Sequence, residues 1–540
     1  MKREILLFTL LVLFSVVSSL KADHTLEIIV KMVGPDPNSN MGTTVAGLGD
    51  INHDGFDDVG VSVYGSREIF VYYGGNPMDD EPDLTLTGTW TVASAGDVNG
   101  DGYNDVMTSD LQNVYIFCGG VSGLDTIKDV TIAGEFPQDL FGWYLIPAGD
   151  INKDNYDDIL ILAPNYPDGS ADGKAYLYSG GDPISTSPDW ELAGGSGAPG
   201  SGERRLQTAC VLDFNGDGWI DIVVGRLGYY YMGNDSLPAK VDIFFGVPSD
   251  LDTIPDLVIN PPDTWSYSWK RLFGGWWVSN LGDLNRDGYE DLGILLGMNC
   301  GHPYIYFGGD PPDTLPGLLL GEGLSRSRNY ACAGDVNGDS FVDVINGNVC
   351  WGMGWGAVEL YLGGPRFDPK KDRWVTGDDL PPDFLEDVGR CVASAGDVNG
   401  DGTDDVIFSA ENFYPSNRGE VFILAGDTSI YVGVEGNEST SSEQPRNFEL
   451  SQNYPNPFNS VTSIQFTVGS GQSLVHTTLK IYNLCGQLVR TLVDEEKAPG
   501  TYRLTWNGKN NLGKEVASGV YFYQLSCENF QETKRMLLIK

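Results

Sequence analysis

A nine-residue acidic loop, DVNGDGYND at 97–105, constrains this chain more than any other feature, because it occurs seven times. The copies occupy 50–58, 97–105, 150–158, 213–221, 283–291, 335–343 and 397–405, each with Asp at positions 1, 5 and 9 and Asn at position 3. First aspartates of successive copies lie 47 to 70 residues apart. A repeat of that length belongs to a propeller, a solenoid or an array, in which each unit buries its apolar surface only against its neighbours.

The residues around each loop narrow the choice. An apolar stretch such as TVASAGD (91–97) runs into the loop, and a β-branched run such as DVGVSVYG (58–65) leaves it. A third run ends in aromatics and glycine, as in IFVYYGG, VYIFCGG, AYLYSGG, VDIFFG, PYIYFGG, VELYLGG and VFILAG, and a short fourth run follows, as in LTLTG and VTIAG. Four short strands per repeat, seven times over, predict a seven-bladed β-propeller spanning 23–436. The run TLEIIVKMVG (25–34) precedes the first loop and has no blade of its own, so it is a candidate to complete the last blade and shut the ring. TSIYVGVEG (428–436) competes for that place.

Composition divides the remainder. The segment NESTSSEQPRN (437–447) is polar and reads as a linker. The final stretch, 448–540, holds several alternating strand patterns and suits a small β-sandwich. The expectation is therefore an all-β chain, a seven-bladed β-propeller followed by a small Ig-like β-sandwich. The formal net charge is −42, and the loops alone carry 25 of the 75 acidic residues. From Phe448 onward, 9 Lys and Arg face 7 Asp and Glu, so the charge changes sign at the proposed boundary. A field this negative excludes nucleic acid as a partner. The first 22 residues read as a signal peptide, with Lys2 and Arg3 ahead of an apolar run that is too short to span a bilayer, and no other long apolar segment follows. Localisation is then secreted or at the outer cell surface. Export permits disulfides among the eight Cys; Cys300 and Cys350 are one candidate bridge, and buried free thiols are the alternative.

The loop chemistry points to a hard cation. Oxygen ligands at positions 1, 3 and 5, a backbone carbonyl at 7 and a carboxylate at 9 can wrap Ca2+, which takes six to eight oxygens. The candidate ligands are Asp50, Asn52, Asp54, Phe56 and Asp58; Asp97, Asn99, Asp101, Tyr103 and Asp105; Asp150, Asn152, Asp154, Tyr156 and Asp158; and Asp213, Asn215, Asp217, Trp219 and Asp221. The last three loops contribute Asp283, Asn285, Asp287, Tyr289 and Asp291; Asp335, Asn337, Asp339, Phe341 and Asp343; and Asp397, Asn399, Asp401, Thr403 and Asp405. Up to seven Ca2+ follow, with affinities of about 10⁻⁴–10⁻³ M. Gly at position 6 allows a sharp bend in five copies; Asn155 tolerates the same conformation, and Ser340 suits it less. Aromatic rings at position 7 are expected to pack between blades. A helical EF-hand is excluded, because position 12 falls on Val61 and Thr108 inside strands rather than on an acid. Plain hairpin turns would not require three carboxylates per loop, since like charges about 4 Å apart repel by a few kcal/mol at an effective dielectric near 20.

With GDVNGDG, the flanking Phe141-Gly142 and Phe273-Gly274 pairs and Ala163-Pro164, the region from Thr25 to Gly426 resembles the FG-GAP repeats of the integrin alpha-subunit propeller. That resemblance implies calcium in the loop joining strands 1 and 2 of each blade. The C-terminal region resembles the type A sorting domain of the type IX secretion system, through NYPNPFN (453–459), IYNLCGQLV (481–489), GTYRLTWNG (500–508), SGVYFYQL (518–525) and KRMLLIK (534–540). It implies the secretion machinery as a partner and transport across an outer membrane. A similar Ig-like fold occurs in flagellar hook-capping proteins, and a plain adhesion sandwich is the competing reading.

In a propeller the acidic loops share one face, and the long variable loops share the other. Those loops are aromatic, with Tyr229, Tyr230, Trp265, Trp269, Trp351, Trp355 and Tyr414 as candidate ligand-face residues, while Trp276 and Trp277 belong either there or to inner-strand packing. The favoured function is a calcium-binding adhesion or binding module for a glycan or protein ligand on that face. Two alternatives are an extracellular polysaccharide-degrading enzyme, lyase or glycosidase, and a structural surface protein. For the enzyme, Arg204, Arg205, Lys270, Arg271 and His302 are available without a signature joining them.

Overall fold

The computed structural model describes residues 26–169, 172–195, 205–227, 240–247, 251–260, 277–296, 301–312, 314, 316–323, 327, 329–349, 356–365, 367–380, 387–410, 417–430, 449–450, 462–468, 475–483, 487–497, 500–511, 514–527 and 530–538. The chain forms two compact units, Met1–Val432 and Gly433–Lys540.

The first unit contains seven four-stranded antiparallel sheets, as a seven-bladed propeller requires. The first blade runs Met41–Gly49, Asp58–Val63, Glu68–Tyr72 and Leu84–Thr87, each strand pairing with the next. Second strands such as Asp58–Val63, Asp158–Ala163 and Asp405–Ala410 are buried along their whole length. Both faces of such a strand meet neighbouring sheets, which explains a continuous β-branched run where a half-exposed strand would alternate. First strands of successive blades lie beside one another in sequence, and Met41–Gly49 touches both Thr91–Gly96 and Val392–Gly396.

The ring closes through Ile28–Val33, which pairs antiparallel with Glu420–Leu424 and supplies the fourth strand of the seventh blade. The competing run contributes Ile430 to the core, and its residues 431–436 lie outside the described residues. In five blades the turn between the third and fourth strands relies on an aspartate that precedes the fourth strand. Asp83, Asp129, Asp189, Asp256 and Asp372 each donate an N–H to a third-strand carbonyl. Each also accepts, on its carboxylate, an N–H near the end of that strand.

The second unit pairs a three-stranded sheet (Glu449–Leu450, Thr462–Val468, Gly500–Trp506) with a four-stranded one (Leu488–Lys497, Val475–Asn483, Gly519–Cys527, Phe530–Leu538). Its strands alternate, with Val475, Thr477, Leu479 and Ile481 inward, as expected where each sheet faces water on one side. Trp506 anchors the core edge-to-face against Tyr521, and its Nε1–H donates to the Lys509 carbonyl at 2.9 Å.

Candidate metal centres and an axial cavity

Each acidic loop is a nest of turns made by its own side chains. In the first, Asp50 Oδ1 accepts the N–H of Asp54 at 3.1 Å and Oδ2 that of Gly55 at 3.0 Å. Asn52 Oδ1 accepts the Asp54 N–H at 2.8 Å, and Asp54 Oδ1 accepts the Phe56 N–H at 3.0 Å. The Asp contacts recur in all seven loops, for example at Asp97 and Asp101, Asp213 and Asp217, and Asp397 and Asp401. These are Asx turns, the reason short carboxylate and amide side chains alternate here. Position 6 takes a left-handed conformation throughout, from φ 93° at Gly55 to 72° at Asn155 and 71° at Ser340. Ser340 therefore completes the bend as well, and its N–H reaches Asp335 Oδ2 at 2.7 Å.

The ninth-position aspartates (Asp58, Asp105, Asp158, Asp221, Asp291, Asp343 and Asp405) are fully buried. Oδ2 of each accepts the N–H of loop position 2, as Asp58 does from Ile51 at 3.0 Å. Oδ1 accepts the N–H of a glycine that follows the third strand, from Gly74 in the first blade to Gly426 in the last. One carboxylate thus ties three strands together. Burial pushes these groups up, to about 7 for Asp58, Asp105, Asp158, Asp221 and Asp405 and to about 8 for Asp291 and Asp343. Their backbone N–H bonds oppose that shift, while the carboxylate at position 5 adds to it.

Among the described residues, no three His, Cys, Asp or Glu side chains converge as a metal-holding group. The donor set nonetheless fits a hard cation. Every side-chain donor is oxygen, and a carboxylate oxygen that accepts one N–H keeps a second lone pair. Among the described residues, two position-3 oxygens, Asn285 Oδ1 and Asn399 Oδ1, are buried with no hydrogen-bond partner. An unpaired buried carbonyl is costly, and a bound cation would satisfy it.

The loops also touch one another, which sequence reasoning anticipated only for the rings at position 7. Position 4 of one loop meets position 7 of the next around the face. His53 stacks on Tyr103 with centroids 4.3 Å apart; Lys153 lies 4.0 Å from the Trp219 centroid and Arg286 4.8 Å from that of Phe341. Where position 4 is glycine the ring packs onto the backbone. A Cβ at Gly100, Gly216 or Gly400 would come within 2.6 Å or less of the rings of Tyr156, Tyr289 and Phe56. Position 8 adds a second link. Asp57, Asp157, Glu290 and Asp404 accept the first-position N–H of the preceding loop in the ring, that of Asp397, Asp97, Asp213 and Asp335 respectively. The alternation of Gly with His, Lys or Arg at position 4 was the visible signal.

The opposite ends of the first strands surround a cavity of about 500 Å³. Thr43, Thr44, Thr91, Tyr144, Trp277, Asn329 and Cys391 come from the beginnings of six first strands, at the ends remote from the acidic loops. Tyr64, Trp90 and Trp143 rise around them, with Tyr64 and Trp143 41% and 42% exposed. Trp277 packs edge-to-face on Tyr144, so it serves both inner-strand packing and the cavity wall. The other aromatic candidates, Tyr229, Tyr230, Trp265, Trp269, Trp351, Trp355 and Tyr414, lie outside the described residues, as do Trp276, Arg204, Lys270, Arg271, Phe273, Cys300 and Cys350. Arg205 and His302 begin strands Arg205–Leu212 and His302–Tyr306. Phe141 is buried against Tyr176, and a Cβ on Gly142 would collide with Ser109, which accounts for that FG pair. Among the described cysteines, Cys118, Cys210, Cys332 and Cys391 are free thiols, and buried Cys527 places its Sγ 3.6 Å from Thr477 Oγ1.

Comparison with known proteins agrees with both units. The chain is 28% identical over 236 residues to integrin alpha-5 of Xenopus laevis, which is 43% of this chain and 21% of that protein. It is 29% identical over 143 residues to human integrin alpha-6, covering 26% and 12%. It is also 30% identical over 201 residues to phosphatidylinositol-glycan-specific phospholipase D of Bos taurus, covering 35% and 22%. The chain thus spans less than a quarter of the length of these relatives. Residues 454–529 match the FlgD Ig-like domain family. The first unit is a β-propeller similar to the FG-GAP propeller of integrin alpha chains, a similarity that suggests a binding or adhesion module. Among the described residues no helix is long and apolar enough to cross a membrane.

Proposed function

We propose that this chain is a secreted or cell-surface binding module whose propeller is stabilised by up to seven Ca2+ ions and presents a glycan or protein ligand site on the face opposite the acidic loops. The observation that carries this reading is the sevenfold return of one oxygen-only loop at one end of every blade. In each loop the side chains at positions 1, 3, 5 and 9 and the carbonyl at 7 would hold the ion. The bound ion would supply the positive charge that offsets three clustered carboxylates, and the loop would then hold two strands of its blade and its neighbour's position-7 residue in register. The adhesion reading is favoured by the integrin alpha relatives. In this reading residues 1–22 are a signal peptide, 23–436 the propeller, 437–447 a linker and 448–540 an export-directing sandwich of the type IX sorting kind, supported by its NYPNPFN-to-KRMLLIK series of motifs. Calorimetric titration of Ca2+ into metal-free chain tests the first part. About six or seven sites with a rise in melting temperature support it, and one site or none would overturn it.

A further inference from the structure

Resting on that reading, we propose that the axial cavity at the starts of the first strands is the ligand site and that it takes the end of a neutral oligosaccharide. Its volume of about 500 Å³ lies within the range of about 300–1,000 Å³ usual for small-molecule sites. The wall has two chemistries. Tyr64, Trp90, Trp143 and Trp277 offer flat apolar surface, the counterpart of the C–H face of a sugar ring. Between them stand small neutral polar groups, and three of these carry buried oxygens with no hydrogen-bond partner among the described residues: Thr44 Oγ1, Ser327 Oγ and Asn329 Oδ1. Ser327 is fully buried and Asn329 is 6% exposed.

That combination selects among ligands. A purely apolar ligand would leave the three oxygens unpaired, whereas a sugar hydroxyl both donates and accepts and can meet either a hydroxyl or an amide oxygen. A cationic ligand would suit the rings alone, but the lining residues described include no carboxylate and do include Arg390. Arg67 already covers one face of Trp90, 4.8 Å from its centroid. A polyanion is disfavoured by the net charge of −42. A neutral saccharide leaves neither kind of group unmatched. A cavity of about 500 Å³ has room for only a few sugar rings, so a chain end fits it better than a long stretch of polymer.

The test uses the full chain in excess Ca2+, titrated with neutral di- and tetrasaccharides of glucose, galactose, mannose and N-acetylglucosamine and followed by tryptophan fluorescence and calorimetry. Trp143→Ala removes an exposed ring, Ser327→Ala removes an unpaired oxygen, and Val121→Ala, at an exposed position outside the cavity, is the control. The expected result is binding of at least one saccharide, weakened about tenfold or more by Trp143→Ala and by Ser327→Ala but not by Val121→Ala, with calcium-dependent melting unchanged in Trp143→Ala. Saccharide binding that neither cavity variant weakens would overturn the assignment of this site while leaving the module reading intact. Failure of every saccharide alongside tight binding of a protein ligand would do the same. Loss of calcium-dependent melting together with loss of all ligand binding would overturn both.

Discussion

The two faces of the propeller are built on opposite plans. The loop face is one nine-residue motif written seven times, and the turns that shape each copy are local: position 1 with 5 and 6, position 5 with 7, position 9 with 2. The axial cavity is written once, from chemically unlike residues that six blades contribute in twos and threes. Repetition therefore marks where the fold is held, and its absence marks where recognition can vary. A rigid scaffold with a variable end is the common arrangement for binding proteins.

That contrast can be broken most sharply by metal removal. Chelation should lower the melting temperature of the propeller by on the order of 10 °C, since several sites each contribute roughly 1–2 kcal/mol when calcium exceeds its Kd about tenfold. The transition of the C-terminal unit should not move, and equal shifts in both, read by calorimetry, would refute a loop-specific role. Next in size is Gly396→Ala. Gly396 has φ 73°, and a Cβ there would stand 2.2 Å from Asp57 Oδ2 at the junction that closes the ring. A loss of about 2–4 kcal/mol in denaturant unfolding is expected, from strain plus a broken bond to Asp397. Gly55→Ala isolates strain, because φ is 93° and no atom lies within 4 Å of the new Cβ; about 1 kcal/mol should be lost.

Smaller effects follow for the lateral links. Lys153→Ala and Arg286→Ala should each cost about 0.5–1 kcal/mol by removing a cation from an aromatic face, against a change within about 0.5 kcal/mol for Trp143→Ala at the cavity rim. If the rim variant proved the more destabilising, the division between a holding face and a recognising face would fail. A pH effect of similar size is expected at Asp372, whose carboxylate burial pushes up to about 6 despite the N–H bond from Leu362. The folded state binds this proton more tightly than the unfolded chain does. Its stabilising contribution is therefore present below about pH 4 and lost as pH rises through 6. Asp372→Asn should flatten that part of the stability profile, by on the order of 1 kcal/mol, in melts across pH 4 to 7.

Much of the fold was legible because its rules are short-range. Gly before the first Asp, Asx turns at alternate positions, a β-branched run after the ninth position and an aromatic-glycine ending all act within about 20 residues, so seven blades could be counted from the text. The pairing of 28–33 with the last blade followed from counting strands. The recurring Asp before five of the fourth strands was equally visible, at Asp83, Asp129, Asp189, Asp256 and Asp372, yet its double hydrogen bond emerged only once the third and fourth strands were in place.

By itself, then, the sequence determined the all-β class, the blade count and the oxygen chemistry of the loops, since each depends on residues close together in the chain. Tertiary structure alone decided how the ninth-position carboxylates lock three strands, how loop touches loop, and where an aromatic cavity opens. Thr43, Thr91, Tyr144, Trp277 and Asn329 are separated by tens of residues and share no pattern. Only ring closure brings them around one axis, and until it does nothing in the order of the residues distinguishes them from ordinary strand positions.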